Sequence, residues 1–179
     1  MMAASSDVIP VLVTVNFPQE TLAAFGDVSE RFEILFYPVH QAQDVPAEAW
    51  ARAEILYAGE AVPEPAMAPN LRWIHAHPAG VDHVIDQPIV RQEGVRLTSA
   101  SGIHVTNIAE YVFAMMLYFG HRLPTMLAFQ ATAHWPTRDE RELFVAHELR
   151  GSTIGIVGYG SIGREVARLA DAFGMTVLA

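Results

Sequence analysis

The sequence predicts an α/β protein with a mostly parallel, doubly wound sheet, followed by the opening β-α-β unit of a second sheet. Three observations predict it. Short β-rich runs alternate with helical patterns over the first hundred residues, a long apolar helix pattern follows, and the glycine turn "GIVGYGSIG" (Gly155 to Gly163) then joins a strand pattern to a helix pattern.

Strand patterns occur at "VIPVLVTVNF" (Val8 to Phe17), "FEILFYPV" (Phe32 to Val39), "EILYAG" (Glu54 to Gly59), "LRWIHAH" (Leu71 to His77) and "VRLTSA" (Val95 to Ala100). Between them "PQETLAAFGDVSE", "VPAEAWARA" and "VDHVIDQPIVRQEG" read as helices, the first two with proline near the first turn. A small α/β domain therefore ends near Ser101. A helix then runs from about His104 to Arg122. Its apolar residues cover nearly the whole circumference between Tyr111 and Phe119, which predicts burial on all sides, between domains or between subunits, and Pro124 helps to stop it. The stretch "QATAHWPTRDERELFVAHELRG" reads as a connector with short helical pieces. The last element is a strand (Thr153 to Val157), the glycine turn, a helix (about Ser161 to Phe173), Gly174 as its C-terminal cap and a strand from Met175. On that helix Ile162, Val166, Leu169, Ala170 and Phe173 form one apolar stripe, ready to lie on a sheet.

At 179 residues, 51 % of them apolar, the chain can bury a core. The most apolar run, Tyr111 to Phe119, is nine residues long, whereas a membrane span needs roughly 20. The start, "MMAASSDVIPVLVTV", has no positive charge ahead of its apolar stretch and no cleavage motif, which argues against a secretory leader. There are no cysteines, which excludes disulfides and thiolate nucleophiles and suits the cytoplasm. A net charge of −9 argues against a nucleic-acid partner. All eleven basic residues are arginine, so lysine Schiff-base chemistry and a P-loop lysine are excluded within the chain.

Gly158, Gly160 and Gly163 fit G-x-G-x-x-G, and each has a physical role. Gly158 permits the turn off the strand, Gly160 lets a pyrophosphate approach the backbone, and Gly163 lets helix and strand pack closely. The helix that begins here directs free N–H groups and its positive dipole end at the phosphates. The alternative is a glycine-rich turn that binds nothing. The motif's usual partner is an acidic residue about 20 positions on, at the tip of the second strand. Glu165 and Asp171 come too early for that and lie on the helix.

A second constellation is "HAHPAGVDHV", His75 to Val84. His75 and His77 face the same way on a strand and His83 follows across a turn, so a metal site is conceivable, but no further ligand stands in clear register and no metal is expected. Pro78 and Gly80 set up a turn at the carboxyl end of a strand, with a helix start at Val81 or Asp82. Exposed amides there suit a carboxylate. The alternative is an ordinary strand-to-helix turn.

Taken in order, "LRWIHAHPAGVDHV", "TSASGIHVTNIAEYVFAMML" and "LRGSTIGIVGYGSIGREVARLADAFGMTVLA" closely resemble the D-isomer-specific 2-hydroxyacid dehydrogenases. The resemblance is ordered from about Leu71 to Ala179 and weaker over the first seventy residues. It implies a flavodoxin-like substrate domain (1–101), an interdomain helix and connector (102–150) and the start of a Rossmann NAD-binding domain (151–179), incomplete at Ala179. It implies that Ala79, Gly80 and Val81 receive the substrate carboxylate, that Ile108 lies near the nicotinamide, and that Gly158, Tyr159, Gly160, Ser161, Ile162 and Gly163 wrap the pyrophosphate of NAD or NADP. It further implies a homodimer through the 104–122 helix.

The family's catalytic arginine, glutamate and histidine belong to later segments, and none of His75, His77, His104 or His147 matches the histidine's position. The expected activity is hydride transfer between a 2-keto or 2-hydroxy acid and a nicotinamide, with these 179 residues a fragment that is inactive alone and binds the cofactor weakly. The alternative is a non-catalytic module that dimerises or binds a nucleotide weakly.

Overall fold

The computed structural model describes residues 8–179, and the leader reading of the residues before them lies outside that range. The backbone packs as two compact units, one ending at Ser101 and one beginning at Gly102.

In the first unit, strands β1 (Ile9–Val13), β2 (Phe32–Phe36), β3 (Ile55–Ala58), β4 (Trp73–Ala76) and β5 (Arg96–Ser99) form one sheet in the order β2-β1-β3-β4-β5. Every pairing is parallel, and this is the strand order of flavodoxin-like sheets. The two-residue side-chain period splits each strand between two cores. Leu12, Leu56, Ala58 and Ile74 face one side, where Trp50 of helix α2 (Ala47–Arg52), Val45 and Ile89 close over them. Trp50 is fully buried and its indole N–H donates to the Ala42 carbonyl at 2.9 Å, so the largest core side chain leaves no polar atom unpaired. Val11, Val13 and Ile55 face the other side, under Phe17 and under Leu22 and Phe25 of helix α1 (Gln19–Val28). No residue of α1 is itself buried, and this face thins toward Trp73.

The segment expected as a helix from Val81 to Gly94 is not one. Val81 accepts from the amides of Val84 and Ile85 to make a single turn, and only a 3₁₀ turn, Pro88–Arg91, follows. Pro88 has no N–H to give and disfavours helical backbone at Gln87 before it, so the turn cannot propagate.

The second unit begins with helix α3 (Val105–Gly120), then helix α4 (Leu123–Ala131), bent from it by 63°. Pro124 does not simply end the long helix. Arg122 adopts φ +56°, which breaks the run, and Pro124 then occupies the first turn of α4, where a missing N–H costs nothing. Within this chain only Ala109 and Phe113 of α3 are buried, while Tyr111 and Phe119 are each more than 60 % exposed. Its apolar circumference is wider than the surfaces this chain brings against it. No single helix among the described residues is long and apolar enough to cross a membrane.

Strand β6 (Thr153–Gly155), helix α5 (Ser161–Ala172) and parallel strand β7 (Thr176–Leu178) complete the unit. Val166 and Ala170 of α5 are buried against Ala109 and Phe113 of α3, with Ile154, Ile156 and Val177 of the strands packed on them. The Phe113 and Phe173 rings stack at 4.9 Å. Gly174, at φ +69°, ends α5 as the cap reading expected.

Candidate functional site

The glycine turn carries the sharpest local geometry. Gly158 stands at φ +95°, a backbone region that a side chain resists. A Cβ on Gly163 would lie 2.2 Å from the Gly158 carbonyl oxygen and 3.2 Å from Ile156 Cγ2, so only glycine lets α5 sit this close to the strand. A Cβ on Gly160 would meet nothing within 4 Å, and its φ of −77° is open to any residue. Neither local sterics nor backbone strain demands glycine there. What remains is the space above it, which a bound group would fill.

Gly160 caps α5, whose first intrahelical bond runs from the Arg164 amide to the Gly160 carbonyl at 3.0 Å. The amides of Tyr159, Gly160, Ser161 and Ile162 make no hydrogen bond among the described residues, and all four residues are exposed. Arg164 ties the loop by donating to the Tyr159 carbonyl at 3.2 Å. A cleft lined by Val112, Gly155 to Gly158, Ile162, Gly163 and Val166 lies beside the turn. These features fit a dinucleotide's pyrophosphate: an open cradle, unpaired amides and a helix N-terminus with no acidic residue in its first turn. Glu165 is held by Arg168 through two bonds of 2.9 and 2.7 Å, which lower its pKa, and Asp171 is exposed on α5. Ile108 sits in the first turn of α3, partly buried, with its amide on the His104 carbonyl at 2.9 Å.

In the first unit, Ala79, Gly80 and Val81 follow the carboxyl end of β4 in an irregular turn. Their amides donate to no acceptor among the described residues. A Cβ on Gly80 would be 3.4 Å from an Asp82 carboxylate oxygen, so the turn is snug but unstrained.

Beside this turn lies a cleft of about 560 Å³ at the carboxyl ends of β1 to β4, lined by residues including Thr14, Asn16, His40, Glu60, His77 and His83. Thr14 is the buried polar residue of this region; its hydroxyl accepts from the Gly59 amide at 3.3 Å and tethers the β1 and β3 tips. His40 Nδ1 meets Glu60 Oε2 at 3.3 Å, and His77 Nδ1 meets the Tyr57 hydroxyl at 3.1 Å. His75 bonds instead to Thr98 at 2.9 Å, and burial, then the charge of His77, holds its pKa below the ordinary 6.5. Burial raises the pKa of Tyr57. Among the described residues no group of three or more His, Asp or Glu gathers as a metal site would require. Sequence reading missed His40, Glu60 and Asn16. The available signal was position, since each follows a strand tip on the sheet edge where doubly wound folds bind ligands.

Residues 113–179 match the family model described as D-isomer specific 2-hydroxyacid dehydrogenase, NAD binding domain. The chain is 32 % identical over 142 residues to a D-3-phosphoglycerate dehydrogenase of Archaeoglobus fulgidus, covering 79 % of this chain and 24 % of that protein. It is 27 % identical to a glyoxylate reductase of Thermococcus kodakarensis, covering 94 % of this chain and 52 % of that one. Among solved structures, the D-lactate dehydrogenase of Aquifex aeolicus complexed with NAD and lactic acid superposes with a TM-score of 0.70 at 26 % identity, over 94 % of this chain and 50 % of that one. A D-isomer specific 2-hydroxyacid dehydrogenase family protein of Aeromonas salmonicida gives a TM-score of 0.74 at 26 % identity, over 94 % and 52 %. The chain spans about half the length of these structures and between a quarter and a half of the two relatives. Its sequence and fold make it a partial-length relative of the D-isomer-specific 2-hydroxyacid dehydrogenases.

Proposed function

We propose that this chain supplies the substrate-binding unit and the first dinucleotide-binding unit of an NAD(P)-dependent dehydrogenase that interconverts 2-oxo and 2-hydroxy acids. The observation that carries this reading is the glycine turn, where Gly163 is sterically obligatory while Gly160 is free of local constraint and faces open space. The amides of Tyr159 to Ile162 and the positive end of α5 stabilise the pyrophosphate charge. Ile108 offers an apolar contact to the nicotinamide. Bound there, the dinucleotide would supply or accept the hydride at C2 of the substrate.

The chain's own part in the reaction is orientation. The amides of Ala79, Gly80 and Val81 hold the substrate carboxylate and thereby fix the direction of C2. Proton transfer at the C2 oxygen needs a group within hydrogen-bond reach. No histidine here matches the family's acid/base position, so that proton is assigned to residues outside these 179, with the family's arginine and glutamate. The exposed apolar flank of α3, including Tyr111 and Phe119, supports a homodimer through the 104–122 helix. A cytoplasmic location suits the cysteine-free sequence.

The test is NADH oxidation with glyoxylate, hydroxypyruvate or pyruvate. It is run on the product of the intact gene and on a chain verified at 19.7 kDa. Turnover by the gene product but not by the verified 179-residue chain is expected. Turnover by that chain would overturn the assignment of the proton-transfer group elsewhere, and NADH binding without turnover by either would favour the non-catalytic module.

A further inference from the structure

The arginines of the first unit are segregated to one end of its sheet. Arg31 and Arg72 immediately precede β2 and β4, Arg96 opens β5, and Arg52 ends the helix that leads into β3. Arg52, Arg72 and Arg91 pair with Glu33, Glu54 and Asp86. The opposite end, where the 560 Å³ cleft opens, has no arginine in its lining, and the sequence has no lysine. Its titratable groups are His40, Glu60, His77 and His83, with Asp82 beside Gly80 at its rim. Glu60 and Asp82 are its carboxylates, and no guanidinium stands in the lining beside them.

Pro78 is part of the cleft wall and joins directly to Ala79. An acid whose carboxylate rests on the amides of Ala79 to Val81 therefore lies beside the cleft. We propose that this cleft reads the C3 substituent and selects a neutral hydrogen-bonding group, such as a hydroxyl, over a carboxylate, phosphate or sulfonate. The inference rests on the carboxylate reading of Ala79 to Val81. A hydroxyl can donate to Glu60 and accept from the Asn16 amide group, whereas an anionic substituent meets Glu60 with no guanidinium in the lining to offset it.

The experiment compares kcat/KM for glyoxylate, hydroxypyruvate, oxaloacetate and 3-phosphohydroxypyruvate on the intact gene product with NADH. Hydroxypyruvate is expected to exceed both anionic substrates by about threefold or more, the scale of one unfavourable charge contact at an exposed, solvent-screened carboxylate. Glu60→Gln is expected to narrow that ratio about threefold or more, and Asn16→Arg, at an exposed position, to narrow or reverse it. Glyoxylate turnover with oxaloacetate or 3-phosphohydroxypyruvate equal to or better than hydroxypyruvate would overturn the selection while leaving the dehydrogenase reading intact. An unchanged ratio in both variants would also overturn it. No turnover of any of the four would remove the dehydrogenase reading and this inference with it.

Discussion

In the first unit five strands share two faces, and Leu12, Val13, Leu56 and Ile74 are shut away between strands and covering segments. In the second, two strands share one covered face, Val157 is fully exposed and Leu178 is 62 % exposed. Yet the glycine turn in this less enclosed unit has more sharply defined stereochemistry than the Ala79–Val81 turn on the better enclosed one. The difference lies in the range of the contacts required. The glycine turn is built by contacts such as Gly163 to Gly158 and Arg164 to Gly160, within one β-α-β unit. The first core depends on strands paired across long separations in sequence, from 18 residues for Ile55 with Trp73 to 44 for Val11 with Ile55. Local geometry sets up the glycine turn, and long-range burial decides how firmly the unit that carries it holds together.

Trp50→Ala should separate the two units most strongly. It empties the largest fully buried site and leaves the Ala42 carbonyl with only the Val45 amide as donor, for an expected loss of about 3–5 kcal/mol. The counterpart Leu178→Ala, at a position exposed in the 179-residue chain, should change the stability of that chain by no more than about 0.5 kcal/mol. Chemical denaturation followed by segment-resolved hydrogen exchange checks both. Equal losses would contradict the contrast in enclosure.

Gly163→Ala comes next. The added methyl must displace backbone, which should cost about 1–3 kcal/mol and raise exchange in the second unit while sparing the first. Gly158→Ala has space around it and should cost only the backbone strain of its positive φ, about 1–2 kcal/mol.

The smallest effect is in pH. The Glu140 carboxylate accepts from the Thr137 amide, His134 and the Thr137 hydroxyl, which brings its pKa to about 2 from an ordinary 4.5. Its stabilisation is complete above 4.5 and fades as pH falls toward 2. His75, held below 6.5 by burial and then by the charge of His77, takes up its proton first in the unfolded state. The first unit therefore loses stability as pH falls below 6.5. Hydrogen exchange at pH 7.5 and 5.5 should show the first unit loosening while the contact around Glu140 persists. The reverse order would break the comparison.

The five strands of the first sheet, the long helix and the β-α-β unit were legible because side-chain period, proline and glycine act locally. Helix α4 was missed because Pro124 reads equally as a stop or a first turn, and the left-handed Arg122 that decides between them has no sequence signature. The Val81 to Gly94 helix was overcalled because its apolar spacing outweighed Pro88. The exposure of Tyr111 and Phe119 could not be read at all, since apolarity tells what a helix can bury and not which neighbours the chain brings to it. At the candidate site, Gly158 to Gly163 were visible as a motif. Asn16, His40 and Glu60 converge only through the parallel order of β1 to β4.

The central claim is that the space above Gly160 belongs to a dinucleotide. Its most direct measurement is an NADH titration of the intact gene product beside its Gly160→Val variant, with thermal unfolding of each. The expected result is saturable binding in the parent, loss of it in the variant, and a stability change no larger than that of an altered helix cap, about 0.5–2 kcal/mol. Equal NADH affinity in the two proteins would contradict the claim, because a branched side chain would then occupy that space without displacing anything.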